Sequence, residues 1–178
     1  MLEKQIVFPP QFSREVCLLD GSKITIRPLC YKDKGMVHSL MHRVTSDTLF
    51  LRYHYVKNNI SEEEVDAYCS IDYCSTYILV AEKNCVDRVE IIGLAQYDVL
   101  RDKTMAEVSF MVDDREQGKG IATHMLNDLA KLAKEQGIRI FIGELMTSNA
   151  MMLDILRKYR PNLRQSMDGH TITVTFVI

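Results

Sequence analysis

The chain has 178 residues, the size of one ordinary domain, and its apolar content of 47% is typical of a globular protein. Its net charge of −2 excludes the basic surface of a general nucleic-acid binder. No apolar run approaches the ~18 residues of a membrane span, and the first residues lack the charged and apolar regions of a signal peptide. We therefore expect a cytoplasmic protein that binds neither nucleic acid nor membranes.

The five cysteines are an odd number at irregular spacing, and none forms a Cys-x-x-Cys motif. Free thiols in a reducing compartment explain them better than a disulfide framework or a zinc site does. His38 and His42 are four residues apart in a predicted helix, but no third ligand follows them. The sequence therefore predicts no metal site.

The first part of the chain predicts an N-terminal arm, a β-hairpin and three helices. Pro9-Pro10 disfavours regular structure, so we assign residues 1–16 to an arm and residues 17–178 to a single domain. Asp20-Gly21 is typical of a hairpin turn, and Ser61 followed by Glu64 is the pattern of a capping box. The predicted strands cover 16–19 and 23–27, and the predicted helices cover 33–43, 45–53 and 61–70.

The rest of the chain begins with short apolar runs that are typical of strands and then alternates strands with helices. Gly93 indicates a β-bulge, Gly137 ends a long helix, and Asp168-Gly169 predicts a closing hairpin. This order favours an α/β (α+β) fold in which a mixed sheet is flanked by helices. The predicted strands cover 77–81, 90–97, 105–112, 138–142 and 171–177, and the predicted helices cover 121–136 and 148–158, the second of them capped by Ser148.

A glycine-rich loop, residues 115–122, lies between a predicted strand and the start of a predicted helix. A helix start presents about four unpaired N–H groups and partial positive charge, and glycine lets the backbone approach a phosphate closely. The loop therefore predicts a pyrophosphate site. Neither a P-loop nor a dinucleotide fingerprint fits, because Gly118-Lys119 is followed by Gly120 and position 123 is a threonine.

The pattern that does fit is Arg/Gln-x-x-Gly-x-Gly/Ala, with Arg115, Gly118 and Gly120 at its defining positions. Other motifs agree with it in order and spacing, from about residue 18 to residue 160. They are Leu18-Leu19-Asp20-Gly21 with Ile26-Arg27-Pro28, Leu51-Arg52-Tyr53, Ser61–Glu64, Ile71-Asp72-Tyr73, Ala106-Glu107, Gly143-Glu144-Leu145-Met146 and Asn149-Ala150-Met151-Met152-Leu153. With these motifs the chain resembles the GCN5-related N-acetyltransferases (GNAT), and most closely their Pat-type branch of protein lysine acetyltransferases.

The resemblance implies a mostly antiparallel sheet that splays beside the loop-bearing strand, with acetyl-CoA as the cosubstrate and no metal. It also implies direct transfer of the acetyl group to an amine, for which the branch suggests a protein lysine. The residues expected to bind acetyl-CoA are Met111 and Val112 for the pantetheine arm, Arg115, Gln117, Gly118, Lys119, Gly120, Ile121 and Ala122 for the pyrophosphate, and Asn149.

Glu107 is the residue that we expect to act as general base, because a protonated amine cannot attack a thioester. On the predicted strand it shares a face with Ser109 and Met111, where an apolar setting would desolvate the carboxylate and raise its pKa. The Met111 N–H is the expected donor to the acetyl carbonyl. Glu144 is a second candidate base.

The chain departs from the family pattern at two positions. Arg160-Pro161 replaces a Gly-Phe pair, and Leu156 stands where many relatives carry a tyrosine general acid, which the Pat-type branch also commonly lacks. These departures leave open a second function, a non-catalytic sensor that binds acyl-CoA. A small-molecule amine as acceptor, and either a monomer or a homodimer, also stay open.

Overall fold

The computed structural model describes residues 12–57 and 60–178, and its centre is one sheet of eight strands. The strands are β1 (Arg14–Cys17), β2 (Lys23–Pro28), β3 (Thr76–Asn84), β4 (Val89–Val99), β5 (Met105–Val112), β6 (Ile140–Met146), β7 (Arg164–Asp168) and β8 (Thr171–Val177). They lie in the order β1-β2-β3-β4-β5-β6-β8-β7, and only β5 and β6 are parallel neighbours. The expected mixed, mostly antiparallel sheet is confirmed.

In the described residues, five α-helices cover the two faces of this sheet. They are α1 (Lys34–Arg43), α2 (Ser46–Tyr53), α3 (Glu62–Cys69), α4 (Ile121–Glu135) and α5 (Ala150–Tyr159), and a short 3-10 turn, Tyr31–Asp33, leads into α1. The predicted helices match these bounds to within one or two residues. In the described ranges, no helix is long and apolar enough to cross a membrane.

Several details of the second half differ from the prediction, and β3, predicted to end at residue 81, extends to Asn84. The strand predicted over 138–142 is β6, which extends to Met146 because it pairs with β8 along its whole length. Helix α5 is capped by Asn149 rather than by Ser148, since the Asn149 side chain accepts the Met152 N–H at 3.2 Å. The capping box at the start of α3, Ser61 with Glu64, is confirmed.

Side-chain alternation along the strands divides the core into two layers. On β3, Tyr77 and Leu79 belong to the cluster that contains the apolar residues of α4 and α5. Ile78 and Val80 belong to the other cluster, with residues of α1, α2 and α3. The period of two in a strand places successive side chains on opposite faces, so a strand that is buried on both faces appears in the sequence as a continuous apolar run.

The parallel pairing of β5 with β6 is short. Three residues of β5, ending at Glu107, pair with three residues of β6, ending at Ile142. Beyond these pairs, β5 follows β4 up to Val112 and β6 follows β8 up to Met146. Because each strand keeps its outer partner while the inner pairing ends, the sheet opens between them. We call this opening the β5–β6 wedge.

Helix α4 packs closely on the sheet at Gly93. A Cβ at this position would lie 3.3 Å from the Ile121 side chain and 3.3 Å from the Met125 sulfur. The register of β3 with β4 also shifts between Ala81 and Glu82, opposite Gly93, which agrees with the predicted bulge. The missing side chain therefore brings the start of α4 against the sheet beside the wedge.

The expected N-terminal arm is partly inside the fold. Strand β1 begins at Arg14, so residues 14–16 belong to the sheet, and the Arg14 guanidinium lies 2.8 Å from the Asp128 carboxylate on α4. Residues 1–11 lie outside the described residues.

A buried ion cluster joins the start of α1 to the sheet. Arg27 on β2 donates to both oxygens of Asp33, at 2.7 and 2.9 Å, and also to Glu82 on β3. Asp33 is 3% exposed. Burial alone would raise the pKa of the Asp33 carboxyl, but hydrogen bonds from Arg27 and the Cys30 N–H hold it below its usual range.

Replacing Asp33 by alanine should lower the free energy of unfolding by about 3 kcal/mol, because Arg27 would lose the more deeply buried of its two carboxylate partners. The folded-state pKa of Asp33 lies below its unfolded value of ~3.9, so this stabilisation is present above that pH and is lost as the pH falls further. Urea titrations at pH 7 and at pH 3 should therefore show a smaller difference from wild type in acid. Asp87→Ala, in the exposed loop between β3 and β4, is the control, and an equal loss in both variants at pH 7 would contradict the prediction.

Candidate active site

A cavity of about 550 Å³ occupies the β5–β6 wedge and continues to the start of α4. Residues of α2, α4, α5, β5 and β6 form its walls. Within the described ranges, no three His, Cys, Asp or Glu side chains are grouped so as to hold a metal ion. The predicted acetyl-CoA residues that line this cavity are Met111, Val112, Gln117, Gly118, Gly120, Ile121, Ala122 and Asn149.

The glycine loop turns the chain from β5 into α4 through two residues with positive φ, Gly118 at 76° and Gly120 at 92°. Residues with a Cβ rarely adopt this conformation. The first helical bond of α4 runs from the His124 N–H to the Gly120 carbonyl at 3.1 Å, and no side chain among the described residues caps the helix. The N–H groups of the first turn, residues 121–123, are therefore left to bind an anion at the cavity wall.

Asp113 holds the glycine loop in place through hydrogen bonds with two arginines. Its side chain is 1% exposed and accepts hydrogen bonds from Arg43 Nε at 2.5 Å and from Arg115 Nη2 at 2.8 Å. Burial opposes the charge, but the bonds from Arg115 and Arg43 hold the pKa of the Asp113 carboxyl well below its usual range. The Arg115 side chain does not line the cavity. In this structure the arginine of the motif supports the loop through Asp113.

Lys119 is held by two carboxylates on the outer side of the loop. Its Nζ lies 2.8 Å from Glu116 and 3.1 Å from Asp20, and Lys83 approaches Glu116 at 2.7 Å. The Leu19 N–H donates to the Lys119 carbonyl at 3.1 Å, so the tip of the β1–β2 hairpin rests on the loop. The Lys119 side chain does not line the cavity. Its positive charge is balanced by the carboxylates of Glu116 and Asp20 outside the cavity.

The loop is also tied to the start of α2. Asp114 accepts hydrogen bonds from the Thr45 N–H at 2.8 Å, the Thr45 hydroxyl at 2.8 Å and the Thr48 hydroxyl at 2.7 Å. The Gln117 amide donates to the Thr48 hydroxyl at 3.3 Å and to the Val112 carbonyl at 3.1 Å. These bonds hold α2 as a wall of the cavity.

The main-chain groups that face the wedge belong to Phe110 and Val112 rather than to Met111. Met111 is opposite Leu94 in the β4–β5 ladder, and two residues later the Asp113 N–H also bonds to β4. Alternate residues of a strand direct their N–H and C=O groups to opposite sides. The Met111 N–H therefore points to β4, and the expectation that it polarises the acetyl carbonyl is wrong.

Helix α5 contributes Asn149 and Leu156 to the cavity. The Asn149 carboxamide oxygen accepts the Met152 N–H as a helix cap, which leaves its Nδ2 group for a ligand. Leu156 is 3% exposed and packs in the core. The position that carries a tyrosine in many relatives therefore supplies only an apolar surface.

Glu107 lies at the base of the wedge, at the last pair of β5 with β6. Its side chain is exposed and does not line the cavity, so the expected desolvation of the carboxylate is absent. It is opposite Asp98 in the β4–β5 ladder, and the Asp98 carboxylate accepts hydrogen bonds from Thr76 at 2.6 Å and Gln96 at 2.7 Å. Glu107 is therefore the more exposed carboxylate of this pair.

Glu144 lies on the other arm of the wedge and lines the cavity. Phe141 and Leu145 point from β6 into the core with α4 and α5, so Glu144 lies on the opposite face of the sheet. The His54 Nδ1 atom lies 3.6 Å from its Oε2 atom. Sequence reasoning missed His54, because it is distant in the chain and follows α2 without any motif of its own.

Replacing Gly118 or Gly120 by alanine should weaken CoA binding about tenfold, because a residue with a Cβ resists the positive φ that presents the loop N–H groups to a phosphate. The positive φ should also cost about 1 kcal/mol of stability in each variant. Calorimetric titration with CoA and urea unfolding measure the two effects.

Gly137→Ala is the matched control, since Gly137 has a φ of 85° at the far end of α4 and has room for a Cβ. It should lose the same stability and keep wild-type affinity for CoA. Equal affinities in all the variants would show that the loop does not bind the phosphates.

Comparisons with known proteins agree with this geometry. The model of the acetyltransferase (GNAT) family matches residues 44–158, well over half of the chain. Acetyltransferase PA5475 of Pseudomonas aeruginosa is 23% identical over 136 residues, which cover 76% of this chain and 73% of that protein. Acetyltransferase Pat of Mycolicibacterium smegmatis is 27% identical over 139 residues, and the match covers 76% of this chain but 40% of Pat.

The solved structure of the GNAT domain of S. lividans PAT has the same fold. It superposes with a TM-score of 0.86 at 24% identity, over 97% of this chain and 100% of that chain. The family match, the splayed sheet and the glycine loop at the start of α4 lead to one conclusion. The chain belongs to the GNAT family and is an N-acetyltransferase.

Proposed function

We propose that this N-acetyltransferase transfers the acetyl group of acetyl-CoA to a protein lysine by direct attack, with Glu107 as general base. One observation carries the proposal: a single cavity joins the start of α4 to the β5–β6 wedge, at whose base Glu107 lies. The motifs shared with the Pat-type branch support a lysine as the acceptor.

Acetyl-CoA would bind with its pyrophosphate at the first turn of α4 and its pantetheine arm in the wedge. The N–H groups of Gly118, Gly120 and residues 121–122 would bind the phosphate oxygens, and Lys119 and Arg115, each paired with carboxylates, would act by holding the loop in place. The arm would pair with the main chain of β5 at Phe110 and Val112, in the place of the missing strand. The Met111 side chain and the Asn149 amide would complete the walls.

The chemistry would then need few groups. Glu107 takes a proton from the acceptor ammonium, and the freed amine attacks the thioester carbon. The new carbon–nitrogen bond forms as the Phe110 N–H, on the wedge side of β5, stabilises the oxyanion. As the carbon–sulfur bond breaks, the nitrogen loses its second proton to water, and the thiolate takes a proton from water, because Leu156 offers none.

Leu156 is also the observation that favours a second function, an acyl-CoA sensor that binds without transfer. A sensor would keep the glycine loop and would not depend on a base. Glu107 at the base of the wedge favours the enzyme.

Glu107→Gln should lower kcat about 100-fold or more, because the neutral amide cannot take the proton from the amine. Thiol release from acetyl-CoA, measured with a panel of lysine peptides and polyamines, gives the rate. CoA affinity by calorimetry should stay at the wild-type value, since Glu107 lies outside the cavity that would hold the cofactor.

Glu135→Gln removes an exposed carboxylate at the end of α4 and should leave both quantities unchanged. Tight binding of acetyl-CoA by wild type without acceptor-dependent thiol release across the panel would refute the transferase and support the sensor. Release with polyamines but not with lysine peptides would replace the protein acceptor with a small amine.

A further inference from the structure

Each of the two strands that form the wedge carries a carboxylate, Glu107 on β5 and Glu144 on β6. Glu107 is the last residue of β5 that pairs with β6, and its partner is Ile142. Glu144 comes two residues after Ile142, so it lies on the same face of the sheet as Glu107 but beyond the point where the strands separate. An acceptor that enters the wedge from this face therefore meets Glu144 as well as Glu107.

Among the described residues, Glu144 differs from the other acids that line the cavity in having no lysine or arginine partner. Glu116 accepts hydrogen bonds from two lysines, and Asp154 lies 3.9 Å from Lys158. In the part of the chain that the structure describes, no lysine or arginine lies within ion-pair distance of Glu144, whose side chain is 54% exposed. Its negative charge is therefore available to a cation that enters the cavity.

His54 lies beside this carboxylate and can orient it. The residue follows α2 in the left-handed conformation, with φ of 61°, and its imidazole is 23% exposed. Arg52 also lines the cavity, but its guanidinium donates to Gln96 at 3.1 Å and lies over the Tyr53 ring rather than pairing with Glu144. The His54 Nδ1 atom lies 3.6 Å from the Glu144 Oε2 atom, just beyond hydrogen-bond length. A small rotation of either side chain would let the imidazole donate to one carboxylate oxygen and leave the other for a ligand.

We propose that Glu144 binds the ammonium group of the acceptor as it enters the wedge, and that His54 is a positioning residue for this carboxylate. The inference rests on the proposed function and specifies the acceptor as a cationic alkylamine such as a lysine side chain. The ammonium is held between Glu144 and Glu107 before Glu107 takes its proton. Glu144 therefore sets the affinity for the acceptor, and Glu107 sets the rate of transfer.

Binding is tested without turnover, by titrating Nα-acetyl-lysine amide into the CoA-saturated protein. The norleucine amide, which has the same chain without the ammonium group, is the matched probe. Wild type should bind the lysine compound about tenfold more tightly, and Glu144→Gln should remove most of that preference. Asp154→Asn removes the same charge from the same cavity and should change it less than about twofold. The proposal is overturned if Glu144→Gln keeps the wild-type preference for the lysine compound over the norleucine compound. It is also overturned if Asp154→Asn loses as much of this preference as Glu144→Gln does.

Thiol release with the lysine amide separates affinity from chemistry. Glu144→Gln should raise the KM for the acceptor about tenfold and leave kcat within about threefold, whereas a fall in kcat alone would refute an affinity role. The two proposals can fail separately. If the protein binds the lysine compound in a Glu144-dependent way but releases no thiol from acetyl-CoA, the proposed transferase is refuted and this inference is supported.

The role of His54 is tested with two variants that both tolerate its positive φ. An asparagine side chain would keep a donor near the position of Nδ1, and glycine would not. His54→Asn should therefore keep the KM, and His54→Gly should raise it toward that of Glu144→Gln. An equal KM in the two variants would assign His54 a structural role only.

Discussion

The early end of the β5–β6 pairing is the constraint on which the whole site depends. Strand β6 pairs with β8 over seven residues but with β5 over three. Beyond Glu107, the main chain of β5 therefore forms hydrogen bonds with β4 on one side, while its other side no longer pairs with β6. Unpaired N–H and C=O groups in a cavity need water or a ligand, so a cofactor arm that supplies amide groups fits this edge as a short additional strand would.

The loop that follows β5 depends on acidic residues, although its expected ligand is an anion. Asp113, Asp114 and Glu116 lie in or next to the loop, yet each is engaged by arginines, by hydroxyls or by lysines. Their charges are used to fix the backbone and are compensated there. The glycines and the start of α4 can then present N–H groups to the cavity with no uncompensated carboxylate beside them, which is the arrangement that an anion requires.

The sequence predicted most of the fold, because its signals were local. The glycine loop, the capping box at Ser61 and the alternation along β8 each depend on neighbours in the chain. The wedge was implied only by family resemblance, since the length of a strand pairing depends on a partner far away. The same reason explains the errors at the site: the strand register decides that Met111 faces β4, and a contact between the end of α2 and β6 brings His54 to Glu144.

The hydrogen bond between the β1–β2 hairpin and the glycine loop has a consequence for the surface of the protein. The Leu19 side chain is 83% exposed, yet its N–H is bonded to the Lys119 carbonyl. This amide can exchange its hydrogen with solvent only when the hairpin and the loop separate. We expect a ligand that orders the loop to slow exchange at Leu19, so hydrogen exchange at this one amide of the exposed hairpin tip would report whether the cavity is occupied.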